Sequence, residues 1–571
     1  TYKENNFQNI NFNSTLHAGN LRIHKFLIKN FEKSSFEISG DIRDLTRLPE
    51  ASGIKIKYKT KSLQPLTRVF KLKMPVSPKR FGVVEIAGQI DGSLLSPKIK
   101  AKIIAAKALI NAQGSLSLLP IGNLFDLSIR FRHKDIFRLA RNFGSAYRPS
   151  VNIGKIDSKF RISGTMENLE FSKIKTKIGN VDIKGTASIN MKKSTPQISG
   201  NFDVGSILID DFIPLKQRAS LSEPQWPQLK RKTVQWGLPD LNLNSTKPLP
   251  NRVLKSNSYK APEATLLHAV NASIKIKVSK ILYKRFLFRN IKVLANTMAG
   301  NLEFKSINGN LFGGQIKGVA VMTSGQENQL SSKFNLTNIL LSEAFLATFG
   351  KNLAEGKLDV DLDLTNSNIT STRVMSLFQG AAQLQIKKLK IAAKNKNPIF
   401  QGLHLLSTFV NPSTKKVKEL TSNITGSFNI KQGIAQTQDL ILISDLGVAP
   451  VYGHINVPLW QIDMAGTLKP EKTKLSKLLK NSMQKKELSI PFTFKGSLNS
   501  PLFKFDPSSL LRAKVTKNVL GDFVGKNQKT VGRLLEGFLK GSNPADRKTD
   551  RNFNDKSIII DPSKLLKNLL K

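Results

Sequence analysis

The sequence predicts a mainly β protein built as a repetitive antiparallel sheet, with a few short helices and a helical C-terminal tail. Three observations predict it. Apolar residues alternate with lysines over many short runs, as in Ile274, Ile276 and Val278 against Lys275, Lys277 and Ser279, the period of two that marks a half-buried strand. Each run is closed by a small polar turn such as Gly300. A Gly-led strand followed by a turn and an apolar–Lys strand then recurs along the chain, which argues for a stacked, quasi-one-dimensional architecture.

The first array spans residues 1–213. Gly40-Asp41-Ile42 leads to the run Ile54–Lys59, and Gly88-Gln89-Ile90 leads through Ser96-Pro97 to Ile99–Ile103. Gly164-Thr165-Met166 leads through Asn168 to Phe171 and Ile174–Ile178. One helix interrupts the array over Lys134–Asn142, where Ile136, Leu139 and Ala140 share a face and Gly144 ends it. Between residues 214 and 262 the alternation disappears among prolines 224, 227, 239, 248, 250 and 262. That composition reads as a linker or crossing loop, with Trp226 and Trp236 as packing anchors.

The second array spans residues 263–506. Its strands include Ile291–Ala295, Leu302–Phe304 and the run Leu358, Val360, Leu362, Leu364, with Asp359, Asp361 and Asp363 on the other face. Asn308-Gly309-Asn310 and Gly313-Gly314 are expected to supply the positive φ that hairpins and bulges use. A helix is expected over Ser342–Phe349, with Ser342 as N-cap, Glu343 in the first turn and Gly350 as its end. Two more are expected at Ser371–Phe378 and Pro398–Phe409. Gly496-Ser497-Leu498 leads through Ser500-Pro501 to a last strand at Phe503–Phe505. Residues 507–571 change to a helical period, with Leu510, Leu511, Val515 and Val519 on one side and lysines elsewhere. Such a basic amphipathic tail can dock on the sheet or lie on an anionic membrane.

The order of these elements resembles the AsmA family of bacterial envelope proteins. The matching residues are Asn271-Ala272, Phe288-Arg289-Asn290, Gly300-Asn301-Leu302 and Leu311-Phe312-Gly313-Gly314. The resemblance continues through Leu341–Gly350, Gly356–Leu364, Ser422–Leu442 and Tyr452–Leu468. It implies an elongated, curved sheet folded into a taco-like groove, of the broad class of bridge-type lipid transfer proteins. It also implies a periplasmic location, with an inner-membrane helix preceding the present sequence. Roughly thirty strands at ~4.8 Å would stack to ~140 Å.

Composition and motifs narrow the chemistry. The formal net charge is +49 over 571 residues, a field that favours anionic partners, although an AT-rich genome also enriches lysine. The absence of cysteine excludes disulfides and thiol ligands or nucleophiles. No apolar run reaches the ~18–20 residues of a membrane-spanning helix, and no secretory signal is visible. The six histidines at 17, 24, 133, 268, 404 and 454 do not pair at metal-ligand spacing. The three aspartates interleave with leucines and valine and lack the turn glycine of a calcium loop. No phosphate loop, dinucleotide fingerprint or nucleophile elbow is present. The chain therefore reads as a non-enzyme that needs no cofactor and no metal.

An outer-membrane barrel is disfavoured, because lysines facing lipid cost ~2–4 kcal/mol each at the midplane. Lysines on the outer face place water outside and leave an apolar face to be filled. The resemblance implies that phospholipid acyl chains, or other anionic envelope lipids, fill it and move between inner and outer membranes. The candidate lipid-contacting residues are Ile274, Ile276, Val278, Leu358, Val360, Leu362 and Leu364, the apolar phase of the clearest strands. The alternatives are an envelope scaffold that assembles outer-membrane proteins without carrying lipid and, third, a nucleic-acid-binding protein. The spread of lysines over strand after strand speaks against the last.

Overall fold

The computed structural model describes residues 7–31, 34–64, 67, 77–117, 124–142, 148–149, 151, 153–212, 270–323, 329–367, 377–392, 419–470, 489–498 and 501–505. It divides into two compact units: Thr1–Gly309 with Val319–Gln329, and Asn310–Gly318 with Leu330–Lys571. Within each, the expected repetitive, mainly antiparallel β architecture is present. Twenty-five strands lie among the described residues, against the roughly thirty expected. No helix among those residues is long and apolar enough to cross a membrane.

The first unit is a ladder of sequential neighbours. Its strands are β1 (Phe7–His17), β2 (Asn20–Phe31), β3 (Ser34–Arg43), β4 (Glu50–Thr60), β5 (Val84–Ser93), β6 (Lys98–Ala105), β7 (Ala108–Leu116) and β8 (Phe125–His133). They continue as β9 (Ile156–Gly164), β10 (Asn168–Ile178), β11 (Val181–Asn190), β12 (Gln197–Leu208), β13 (Asn271–Tyr283) and β14 (Phe286–Met298). Each strand from β1 to β12 pairs antiparallel with the next. β12 and β13 are instead parallel, with Gln197 opposite Asn271 and Leu208 opposite Leu282. Parallel neighbours need a crossover that returns the chain by a strand length, so the 214–262 stretch connects two strands of one ladder. That stretch itself lies outside the described residues. After β14 come β15 (Asn301–Leu311), β16 (Gly314–Thr323) and β17 (Gln329–Leu340).

Two helices belong to the first unit, α1 (Ile136–Asn142) and α2 (Ile209–Phe212). α1 lies where its periodicity places it, and the Asp135 carboxylate accepts the Arg138 N–H at 2.9 Å. α2 is tied to the β13–β14 turn, because the Lys284 N–H donates to Asp210 at 2.8 Å.

The second unit holds β18 (Glu355–Ser367), β19 (Phe378–Ala392), β20 (Glu419–Lys431), β21 (Ile434–Ser444), β22 (Gly447–Asn456), β23 (Gln461–Pro470), β24 (Ile490–Ser497) and β25 (Leu502–Phe505). These eight run antiparallel in sequence order. The helix α3 (Leu341–Phe349) precedes them and ends at Gly350, whose φ of 71° lets its N–H bond the Leu346 carbonyl. Its start differs from expectation: the N-cap is Leu340 without a side-chain bond, so Ser342 lies inside the first turn beside Glu343. Of the helix expected at Ser371–Phe378, only Leu377 and Phe378 lie among the described residues, and Phe378 opens β19. Pro398–Phe409 and the 507–571 tail lie outside the described residues. Asn308-Gly309-Asn310 sit within β15 rather than in a turn. The β15–β16 turn uses Phe312 (φ 47°) and Gly313 (φ 71°) instead.

Where alternation slips, a bulge restores it. In Phe171-Ser172-Lys173-Ile174 two polar residues stand between apolar ones. β10 gains one residue there against both neighbours, with Lys173 at φ 52°. Ile386-Lys387-Lys388-Leu389 does the same in β19, with Lys388 at φ 51°. Thr437-Gln438-Asp439-Leu440 does it in β21. Since successive side chains point to opposite faces, one unabsorbed residue would send every later apolar residue to the wrong face.

Deleting Lys173 is therefore expected to abolish the cooperative thermal transition or lower it steeply. Lys173→Gly is expected to leave the transition unchanged or raised, because glycine removes the ~1–2 kcal/mol left-handed penalty. Circular dichroism melts of the two variants test the pair. A second expectation concerns acid. Asp439 is held below the usual carboxylate range chiefly by the Ser427 backbone N–H, then by the Ser427 hydroxyl. A depressed folded-state value contributes stability above the unfolded pKa of ~3.9, and that stability is lost as pH falls through the folded value. The melting-temperature gap between wild type and Asp439→Asn should accordingly be widest near neutrality and narrow as pH falls below the ordinary carboxylate range.

Candidate functional site

The strand registers line up the apolar phase of the first unit into continuous rows that cross the strands. One row runs through directly opposed residues from Ile28 to Phe36, Tyr58, Ile86, Ile103, Ile110 and Phe131. It goes on through Ser158, Thr176, Ile183, Val204, Val278 and Ile291. At ~4.8 Å per strand its twelve steps span about 58 Å. A second row joins Ile54, Ile90, Ile99, Gly114, Leu127 and Ile162, then Phe171, Ala187, Gly200, Ile274 and Ala295. Between them lies a shorter row of Ile174, Gly185, Phe202, Ile276 and Val293.

Sequence reasoning picked out Ile274, Ile276 and Val278, and each sits in one of these rows. It named no residue of the strands before β13, although the h-x-h phase of each run there carries the same signal. Two details show how the floor is kept apolar. The Phe202 ring lies over Gly185 and Gly200, where an added Cβ would come within 2.8 and 2.6 Å of the ring, so glycine there makes room for the aromatic face. Ser158 and Thr176 are the polar interruption of the long row, and their hydroxyls bond each other at 2.6 Å.

Burial along the floor is uneven. Ile28, Tyr58, Val278 and Ile291 are buried, whereas Ile86, Ile103, Ile110, Phe131, Ile183 and Val204 are only half-buried. A sheet covered by a second packed layer would close over such residues.

In the second unit the same phase is partly consumed by packing. Leu358 stands opposite Ile386, which faces Ile424, and all three join a cluster around Leu341, Ala354 and Leu389. The helix α3 thus covers Leu358, and its Phe349 ring lies 6.2 Å from Trp460. Val360, Leu362 and Leu364 are half-buried and face Leu384, Ala382 and Gly380. Further along, Phe428, Val451, Met464, Ile490, Phe492 and Phe503 form a closed core, with Ile490 and Ala449 fully buried. The seven candidate residues therefore fall in two separate units, and Leu358 packs inside its own.

The opposite face carries the charges. Asp359 accepts the Asn338 N–H at 2.7 Å and the Lys387 ammonium at 2.9 Å, and these hold it below the usual carboxylate range in that order. Asp361 accepts from the Asn335 amide at 2.6 Å, and Asp363 pairs with Lys333 at 2.8 Å. The three aspartates thus form the solvated back of β18. Of the histidines, His133 is buried and its Nδ1 accepts the Asp135 N–H at 3.0 Å, a local structural bond.

Ser158→Ala is expected to cost ~1 kcal/mol in urea denaturation, since it leaves the Thr176 hydroxyl unpaired on an apolar face. The Ser158→Ala/Thr176→Val double variant should recover most of that loss. Additive losses would instead show that the two hydroxyls do not depend on each other.

Comparison with known proteins adds one finding. The AsmA family model matches residues 147–440, just over half of the chain. The match begins in the first array, before the stretch where the resemblance is densest, and ends before the Tyr452–Leu468 segment. No curated protein and no solved structure matches the chain. With a match of that extent over strands that carry the apolar floor, the chain belongs to the AsmA family, a membership that fits a non-enzymatic envelope protein of the lipid-transport type.

Proposed function

We propose that the protein holds phospholipid acyl chains on the apolar floor and helps move lipids between the inner and outer membranes from a periplasmic position. The observation that carries this reading is the row from Ile28 to Ile291, continuous across thirteen strands and half-exposed at its centre. Acyl chains fit such a surface because each methylene removed from water gains ~0.8 kcal/mol. A floor of like aliphatic rungs has no deep specific pocket, so a chain can slide from rung to rung without dissociating. The role needs no reacting group, and Ile274, Ile276, Val278, Val360, Leu362 and Leu364 act only by lining the floor. Leu358, on the same face, packs instead in the cluster of α3.

The closed core around Ile490 and Phe492 favours a second reading for its own region. There the apolar face is satisfied by protein, as in a scaffold that assembles envelope proteins.

Native mass spectrometry with lipid extraction, on protein from a Gram-negative host in mild detergent, tests the proposal. Several phospholipids per chain, retained at high salt, are expected. Val360→Glu should reduce lipid loading with the melting transition nearly unchanged, because Val360 is half-buried. A lipid-free, folded wild-type chain would overturn transfer in favour of the scaffold. Global unfolding of Val360→Glu would mean that β18 faces a packed core.

A further inference from the structure

The polar face of the first unit holds a feature that the apolar floor does not use. A concavity of ≈ 860 Å³ lies across β4–β10, and its lining includes Lys57, Lys100, Lys102, Arg130, Lys159 and Arg161. The registers set four of these cations, Lys57, Lys102, Arg130 and Lys159, in a row that crosses the strands and continues past the concavity: Lys57 stands opposite Ala87, Ala87 opposite Lys102, Lys102 opposite Asn111 and Asn111 opposite Arg130. The row then passes through Arg130, Lys159, Lys175 and Lys184, each directly opposite the next. Three successive pairs of like charge face each other, an arrangement that is destabilising in a sheet.

The neighbouring carboxylates relieve it only in part: Asp203 stands opposite Lys184, and Asp157 lies within the field of Lys159. Asp157 is taken by Arg130, through bonds of 3.0 and 2.6 Å, and Asp126 by Arg161. Glu37 lies 3.5 Å from Lys57 and Glu85 is 2.6 Å from Lys59. Lys102, Lys159, Lys175 and Lys184 are exposed, and among the described residues none of them makes an ion pair. A face whose nearest carboxylates are bonded to Arg130 and Arg161, and whose row of those four lysines makes no ion pair, is suited to a ligand that brings a line of negative charge.

The chemistry of the face narrows that ligand. The residues between the cations are amides and hydroxyls, such as Gln89, Asn111, Gln113 and Ser128. The polar phase of β4–β11 contains no aromatic side chain, so it offers no stacking platform for nucleobases. Lysine ammonium groups are compact point charges with rotatable donors, which suits phosphate. We propose that the row Lys102–Lys159–Lys175–Lys184 binds a linear phosphate chain that lies across the strands, on the face opposite the apolar floor. The phosphates come either from a free polymer or from lipid headgroups ordered along the concavity.

The test is fluorescence anisotropy of the full chain with labelled long-chain inorganic polyphosphate over a salt series. The row variant is Lys159→Gln/Lys175→Gln/Lys184→Gln, and a charge-matched control removes Lys357, Lys431 and Lys504 in the same way. Affinity of the row variant is expected to fall about tenfold or more, with its log K against log salt slope flattened by about two. The control should change by less than about threefold. Equal losses in both variants would reduce the effect to net charge and overturn the proposal, as would no loss in either. The melting temperature of the row variant should hold or rise, since like charges are removed. If it falls, the Lys159→Gln/Lys175→Gln double variant repeats the comparison. Co-sedimentation with phosphatidylglycerol vesicles separates the two sources. Vesicle and polymer binding both lost in the row variant supports headgroups, and polymer binding alone lost supports a free chain. Vesicle binding lost with polymer binding intact would overturn the linear-chain assignment.

Discussion

The constraint on which the rest of this structure depends is phase. A sheet whose two faces differ this much, aliphatic on one and cationic on the other, exists only if every strand enters the ladder with its alternation in step. The first unit keeps that step from Ile28 to Ile291 through twelve successive registers. The cost of one slip is large, because it would turn isoleucines into the solvent and lysines onto the floor along a whole strand. The bulges at Ser172–Lys173 and Lys387–Lys388 are where the chain absorbs irregularity. Each occurs where two polar residues stand together, and each spends one residue in left-handed backbone to return the next aliphatic side chain to its face. The strain of a non-glycine residue at φ near 50° is smaller than the loss it prevents.

Phase also explains why the two units use their apolar faces differently. In the first, rows of isoleucine and valine are broken by glycine, alanine and a bonded Ser158–Thr176 pair, and they remain half-exposed. In the second, phenylalanines on adjacent strands touch: Phe494 and Phe503 have ring centroids 4.9 Å apart, and Phe492 lies 5.8 Å from Phe503. Large aromatic side chains reach across the space above a sheet and fill it with protein, whereas β-branched aliphatic ones leave a shallow, uniform surface.

Much of this was legible in the residues. Alternation in Ile54–Lys59, Ile99–Ile103, Ile174–Ile178 and Ile274–Val278 identified strands that the structure contains, and Gly350 marked the end of α3 correctly. The three aspartates of β18 were placed on its solvated face. What the sequence did not convey was non-local. Nothing in β12 or β13 announces that they are parallel neighbours, because a crossover is written in how far the chain returns and not in either strand. Likewise, Leu358 has the same alternation as Val360, and only the packing of α3 distinguishes them. Ser342 is a good N-cap by type, yet the chain coming off β17 is already extended at Leu340, so the helix starts one residue earlier. Asn308-Gly309-Asn310 looks like a turn, but Gly309 lies in β15, where an added Cβ would meet the Ile291 side chain at 2.2 Å. Glycine there serves close packing rather than chain reversal.

The net charge of +49 takes on a different meaning once the faces are separated. Spread evenly, such an excess would favour solubility and little else. Among the described strands of the first unit, however, the lysines that alternate with aliphatic residues fall on the face opposite the apolar rows. Segregation by phase thus concentrates a diffuse compositional bias into one field. It also places Arg130, Lys159, Lys175 and Lys184 in line, each opposite the next. A genome rich in lysine codons can raise the number of cations, but it does not choose their register. That register follows from the same alternation that builds the apolar floor, so the two faces are consequences of one pattern, and a ligand on either acts on a sheet already committed to both.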